Sequence, residues 1–285
     1  MATVFYSDTQ QRRILRVFPD LVRHRGLLYD LVSKELRARY RNAMMGFFWA
    51  VLQPLLMALI LTFVWRIIGP ERLGDVGLPD GIPFAVIVLC GLIPWQLTFS
   101  GLLSSTASLV LNQNLIKKVY FPREVIPLAA LGNCLVNYVI GLVLVLVVHV
   151  LYGGGLTSAL VWVPVIFVIQ FVLVCGLGLL LSCLNAFFHD VGYLLEVALM
   201  FGFYASPVFY PIEFLYAKLG AEHWACRVYL ANPMAGLLSA YRECMLYGRT
   251  PSAAFLIWPA VAAVLFLALG LVVFRRNAPR LADHL

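Results

Sequence analysis

Residues 112–124 read NQNLIKKVYFPRE. They form the polar, basic segment in the middle of a chain that is otherwise close to continuously apolar. Leu111, Leu115 and Val119 recur four residues apart with Ile116 beside them, which predicts a short amphipathic helix over 109–120. Asn112, Asn114, Lys117 and Lys118 cover the other faces. Tyr120-Phe121-Pro122 ends that helix, because proline lacks the amide donor and biases the residue before it away from helical angles. Such a helix between two apolar stretches suits a surface held against something in the cytoplasm. A connecting loop that keeps its charges in water remains the alternative at this level.

The surrounding composition sets the solvent. Of 285 residues, 62% are hydrophobic and 12% charged, and the mean hydropathy is +0.89. A soluble domain holds about 45–50% apolar and 25% charged residues, so the expectation is an all-α integral membrane protein. The net charge of +7 does not point to nucleic acid, because the basic residues lie in flanks and loops where membrane topology accounts for them. Residues 1–46 are polar and basic without an apolar core, so no signal peptide is expected and the N-terminus stays in the cytoplasm. Cys90, Cys134, Cys175 and Cys183 sit inside apolar runs as small core residues. Cys226 and Cys244 fall outside the cytoplasm in the topology below, and a disulfide between them is a hypothesis.

Working outward, residues 1–22 form a polar arm and 23–46 an amphipathic helix. Leu28, Leu31, Val32, Leu36 and Tyr40 occupy one side of it, with Lys34, Arg37, Arg39 and Arg41 on the others. That pattern fits a helix lying in the headgroup layer. Residues 47–274 form one transmembrane domain with spans expected at 47–68, 82–103, 125–151, 160–184, 191–210 and 253–274. The second is expected to be interrupted at Gly91, Pro94 and Trp95, and 275–285 is a polar tail. Residues 211–249 are too polar to span and too apolar to be only a loop; two short helices with a break at Asn232-Pro233 fit, with Arg242 and Glu243 off the apolar face. Six spans with both ends inside place fifteen Lys/Arg on the cytoplasmic side against six outside, in accord with the positive-inside rule.

No G-x-x-x-x-G-K-[ST] phosphate loop occurs, so the chain is not expected to hydrolyse ATP itself. No metal or catalytic motif stands out either: the histidines are scattered, and His189-Asp190 is an adjacent acid–base pair at a span end. Glu196 is the candidate ionisable group within a span, and a cavity-facing carboxylate is its expected role.

Five runs resemble a known family: LVSKELRARYRNAMMGFFWAVLQPLL (31–56), GLIPWQ (91–96), NLIKKVYFPREVIPL (114–128), FYASPVFYP (203–211) and NPMAGLLSAYR (232–242). In order and together, they resemble the permease subunits of type-2 ABC exporters of the polysaccharide group, which export O-antigen, capsular polysaccharide and teichoic acid. The resemblance implies a homodimer of six-span subunits in the bacterial inner membrane, paired with two copies of an ATP-binding subunit that holds ATP and Mg; this chain carries no cofactor. It implies that 109–120 is a coupling helix docked on the ATPase through Asn112, Asn114, Leu115, Lys117, Lys118, Tyr120, Pro122, Arg123 and Glu124. It implies further that 23–46 is an interface helix using Lys34, Arg37, Arg39 and Tyr40, and that 211–249 forms re-entrant outer gate helices. The substrate implied is a lipid-linked sugar chain. Aromatic faces suit sliding sugars, so Trp49, Trp95, Phe99, Phe201, Tyr204 and Tyr210 join Glu196 as channel-lining candidates. Two competing readings are a permease for drugs or small lipids, and a membrane enzyme acting on lipid-linked sugars.

Overall fold

A computed structural model describes residues 25–40, 48–68, 82–118, 121–152, 155–220 and 223–281. Every regular element among these residues is helical: α1 (Arg25–Tyr40), α2 (Phe48–Ile68), α3 (Phe84–Leu111), α4 (Gln113–Lys118), α5 (Val125–Leu151), a 3-10 turn (Ser158–Trp162), α6 (Val163–Phe187), α7 (Asp190–Tyr204), α8 (Ile212–Leu219), α9 (Trp224–Leu230), α10 (Pro233–Met245), α11 (Ala253–Asn277) and a closing 3-10 turn (Ala278–Arg280). Five of these stretches, α2, α3, α5, the 3-10 turn with α6, and α11, are long and apolar enough to cross a membrane. The chain is a multi-pass membrane protein.

The bundle is arranged around α3. Pro83 holds an extended conformation that suits its fixed φ, and the helix starts at the next residue. From Val86 to Leu109 most of α3 is buried, and it is flanked by α2, α5, α6, α7 and α10. Small residues permit this crowding, since lipid tails are as apolar as leucine and helices associate by close packing. A Cβ at Gly101 would come 2.6 Å from Leu131 Cδ1, and one at Gly178 2.9 Å from Ser105 Cβ. Among the described residues the tightest helix-to-helix approach at a glycine is between α6 and α11. There a Cβ at Gly176 would collide with the backbone of Phe266 and Leu267, and one at Gly270 with the carbonyl of Gly176.

Two apolar cores result. The larger joins α3, α5, α6 and α10 through residues such as Ile87, Leu131, Leu173 and Leu237. The smaller closes the end of the bundle that carries α4, and holds Leu31, Leu109, Ile116, Phe121, Val125, Phe274 and Leu281. By contrast α2 and α7 lie at the rim with long apolar residues outward, among them Leu59, Ile60 and Phe63 on α2 and Val197, Met200 and Phe201 on α7.

Several expectations need correction. The second span is not interrupted: α3 runs unbroken through Gly91, Pro94 and Trp95. The helix predicted over 109–120 is divided instead, because Leu109–Leu111 finish α3 and the chain turns at Asn112, whose amide Nδ2 donates to Ser108 O at 2.9 Å. Val119 and Tyr120 lie outside the described residues, as do 41–47 of the predicted 23–46 helix. The stretch expected to span over 191–210 is a helix of 15 residues ending at Tyr204, after which Ala205–Pro211 leave helical geometry. The segment 211–249 holds three short helices, α8 to α10, where two were expected. The break at Asn232-Pro233 stands: the Asn232 side chain accepts from Met234 N at 3.0 Å with proline in the first turn. Cys226 and Cys244 are free thiols. The Cys226 thiol donates to Gly220 O at 3.4 Å, and Cys244 is wholly buried in α10.

Gly270→Leu should separate α6 from α11 and destabilise the protein by about 1–3 kcal/mol or more, the usual cost of overpacking. A lowered melting temperature in detergent checks this, with Gly155→Ala, where a Cβ meets nothing within 4 Å, as the silent control.

Candidate functional site

Three regions gather the polar and aromatic side chains. At the α4 end, Ile116 is the buried residue that seats α4, and Leu115 is half-buried. Asn114, Lys117 and Lys118 are exposed. The two lysines stand in the last turn, where cations favour the negative end of the helix dipole. The next residues turn the other way. Phe121 is buried, Arg123 Nη1 donates to the Ala278 carbonyl, and Glu124 Oε1 pairs with Arg275 Nε at 3.1 Å. Of the residues expected to face a partner, Arg123 and Glu124 therefore point into the subunit, while Asn114, Lys117 and Lys118 keep an open face. On α1, Lys34 and Arg37 are exposed, and Arg37 Nε reaches back to Ser33 O at 3.3 Å. Arg39 and Tyr40 lie in α1, their side chains outside the description. Leu31 and Val32 pack on protein: Leu31 enters the small core, and a Cβ at Gly132 of α5 would come 2.9 Å from Val32 Cγ2.

The second region lies between α2 and α3. Trp49, Gln53, Met57, Trp95, Gln96 and Phe99 line a cavity of about 370 Å³. Three of the channel candidates thus line one cavity, Trp49 from α2 and Trp95 and Phe99 from α3, and Gln53 and Gln96 supply amides among the rings. Trp95 is itself 6% exposed, edge-on to Phe203 at 6.1 Å. Phe201 and Tyr204 project outward from α7, and Glu196 is exposed on the same helix. Tyr210 meets Phe209 ring to ring at 5.0 Å, and its hydroxyl shares a 2.8 Å hydrogen bond with that of Tyr229. From Trp95 and Phe203 the ring contacts continue through Phe209 to Trp65, which stacks on Phe84 at 5.5 Å.

The third region was not read from the sequence. Gln170, fully buried on α6, donates to Pro94 O at 2.6 Å and Thr98 Oγ1 at 2.9 Å, and accepts from Tyr241 Oη at 3.0 Å. Tyr241 in turn shares a 2.9 Å bond with Tyr138 Oη. One amide thereby ties α3, α5, α6 and α10 inside an apolar core. Arg242 was expected off the apolar face, yet it is 2% exposed and donates to Val208 O at 2.7 Å and Tyr210 O at 2.9 Å. It fits because Gly91 of α3 has no side chain: a Cβ there would lie 2.6 Å from Arg242 Nη2. The guanidinium supplies donors to two carbonyls in the non-helical link between α7 and α8. Beside it, Glu243 accepts from Ser252 N at 2.7 Å. Burial raises its carboxyl above the ordinary value, against the lowering by that bond. The sequence signals available were a glutamine alone in an apolar run and an arginine next to an apolar helical stripe.

Among the described residues the chain is a helical bundle with five membrane-length helices, a basic helix at one end and short helices at the other, the outline of a multi-pass membrane subunit. The chain belongs to the ABC-2 type transporter family, whose profile matches residues 27–246. It is 30% identical over 273 residues to an O-antigen export system permease protein RfbA of Myxococcus xanthus, covering 95% of this chain and all of that one. An RfbA of Klebsiella pneumoniae is 28% identical over 265 residues, covering 91% and 96%. The polysialic acid transport protein KpsM of Escherichia coli is 24% identical over 251 residues, covering 86% and 91%.

Arg242→Met should leave two buried carbonyls without donors and lower stability by about 3 kcal/mol, since hydrogen bonds to charged groups contribute about 1.5–3 kcal/mol each. The check is thermal unfolding in detergent; a wild-type transition temperature counts against this clamp.

Proposed function

We propose that the chain is the membrane-spanning subunit of an ATP-driven ABC exporter that moves lipid-linked polysaccharide, of the O-antigen, capsule or teichoic acid type, across the bacterial inner membrane. The observation that carries this reading is the end-to-end similarity to the RfbA permease, which leaves no segment of that relative unmatched. Two copies of the chain assemble with two ATP-binding subunits, which hold the ATP and Mg. Both termini lie in the cytoplasm, α7 with its continuation serves as a sixth crossing, and α8 to α10 form the outer gate.

Within this reading α4 is the coupling helix, and Asn114, Lys117 and Lys118 meet the ATPase, with Asn112, Leu115, Tyr120 and Pro122 shaping the contact. Lys34, Arg37, Arg39 and Tyr40 belong to the interface helix beside it. The packing of the bundle supports a passage formed between copies, because the interior around α3 is filled by side chains such as Ile87, Leu131, Ile166 and Leu173. Trp49, Trp95 and Phe99, around the cavity on the outside of α3, and Glu196, Phe201 and Tyr204, exposed on α7, are the residues that face such a passage. Rings offer sugars a stacking surface with no fixed hydrogen-bond register, which suits a sliding polymer. Tyr210 acts from the gate side.

Replacing Lys117 and Lys118 together by Glu is expected to abolish co-purification of the ATP-binding subunit and surface glycan, while the protein still inserts. Immunoblotting of membranes and glycan staining of whole cells check it. Normal surface glycan, or transport by the purified subunit alone in vesicles, overturns the reading.

A further inference from the structure

The ion pair between Glu124 and Arg275 joins positions 151 residues apart, and the Arg123–Ala278 bond joins positions 155 apart. Both lead from the loop after α4 to the far end of α11. The pair is not a surface pair, with the side chains of Arg275 and Glu124 14% and 11% exposed. Its charges also suit their helices. Glu124 stands at the N-terminus of α5, where a carboxylate is favoured, and Arg275 in the last turn of α11, where a cation is favoured. Beyond it the chain turns through Ala278–Arg280 and buries Leu281 completely in the core that contains Ile116, Phe121 and Phe274. The α4 helix has Ile116 as its buried anchor, so a force on α4 leaves it toward α3 through Asn112 and toward Phe121–Glu124 along the chain. Because α6 and α11 touch at Gly176 and Gly270, displacing the end of α11 displaces α6 as well.

We propose that the end of α11, Arg275 to Leu281, is a second input of the coupling apparatus. The Glu124–Arg275 pair and the Arg123–Ala278 bond carry movement of α4 into the last span. Arg123 and Glu124 are positioning residues inside the subunit, and not contacts to the ATP-binding subunit. This rests on the reading of α4 as the docking helix, and it assigns a driven role to the C-terminal segment.

The test compares export per ATP hydrolysed in the assembled complex for wild type, Glu124→Gln, Arg275→Gln, the exchange Glu124→Arg with Arg275→Glu, and a chain ending at Asn277. The single variants and the shortened chain should still bind the ATP-binding subunit and hydrolyse ATP. Their export per ATP should fall about tenfold, within the usual range of coupling between sites. The exchange variant should recover part of the loss, and only part, because each charge then faces the wrong end of its helix dipole. Equal export per ATP in wild type and single variants overturns the proposal. So does loss of subunit binding in Glu124→Gln, which would make Glu124 a docking residue. Loss of folded protein in both single variants, seen as aggregation on size exclusion, with no recovery on exchange, also overturns it by reducing the pair to a fastener. Failure of the docking reading is separate: the wild-type chain then does not bind an ATP-binding subunit at all.

Discussion

Within hydrocarbon a polar group must find its partner inside the protein, since no water is available to supply one. In this chain Gln170 meets that demand for the centre of the bundle. Its amide serves Pro94, Thr98 and Tyr241 together. Proline at position 94 withholds its own amide from the α3 ladder, and the same turn of helix receives two extra donors at the Pro94 carbonyl, from Gln170 and from Thr98 Oγ1 at 3.4 Å. The helix α3 nevertheless runs unbroken through Pro94, and α5, α6 and α10 pack on it. Since Tyr241 neighbours Arg242 in sequence, the same part of α10 that completes this network also holds the link between α7 and α8 through Val208 and Tyr210.

The two ends of the bundle are built on different chemistry. Around α4, apolar residues from α1, α3, α5, α6, α11 and the closing turn make one knot, and charges on Glu124 and Arg275 seal its edge. At the opposite end side chains donate to the links between short helices: Arg242 to two carbonyls of the α7–α8 link, Asn232 Nδ2 to Ser206 Oγ at 2.8 Å and Ala205 O at 3.5 Å, and Trp258 Nε1 to Ala231 O at 2.8 Å. One end is therefore fastened by long-range contacts that a displaced helix would carry along. The other is a set of short helices whose links are held by hydrogen bonds from side chains and from turns of their own backbone.

Much of this was legible from residue patterns, where one physical signal dominated. Apolar runs longer than the hydrocarbon layer marked α2, α5, α6 and α11 to within a few residues, and Asn232-Pro233 marked the start of α10 through capping chemistry that is local. Signals that depend on a distant partner misled. Pro94 suggests a broken helix, yet α3 continues through it, packed against α5, α6 and α10, with Gln170, 76 residues on, anchored to that turn. Arg242 reads as a solvated cation because nothing nearby reveals that Gly91 leaves room for it. Leu109 to Val119 has unbroken helical spacing, and the Asn112 side chain, returning to Ser108, turns the chain inside that spacing. For the candidate site, the outward faces of Asn114, Lys117 and Lys118 followed from amphipathic spacing. The inward turn of Arg123 and Glu124 did not, since their partners lie at the other end of the sequence.

The brevity of α7 bears on the bilayer itself. Its 15 residues measure about 22 Å at 1.5 Å per residue, against a hydrocarbon layer of roughly 30 Å, and Tyr193 and Tyr204 mark its two ends with exposed rings. Were this helix to cross without its continuation, the mismatch would be met by thinner lipid, by flanking side chains or by assembly, each at fractions of a kcal/mol per ångström.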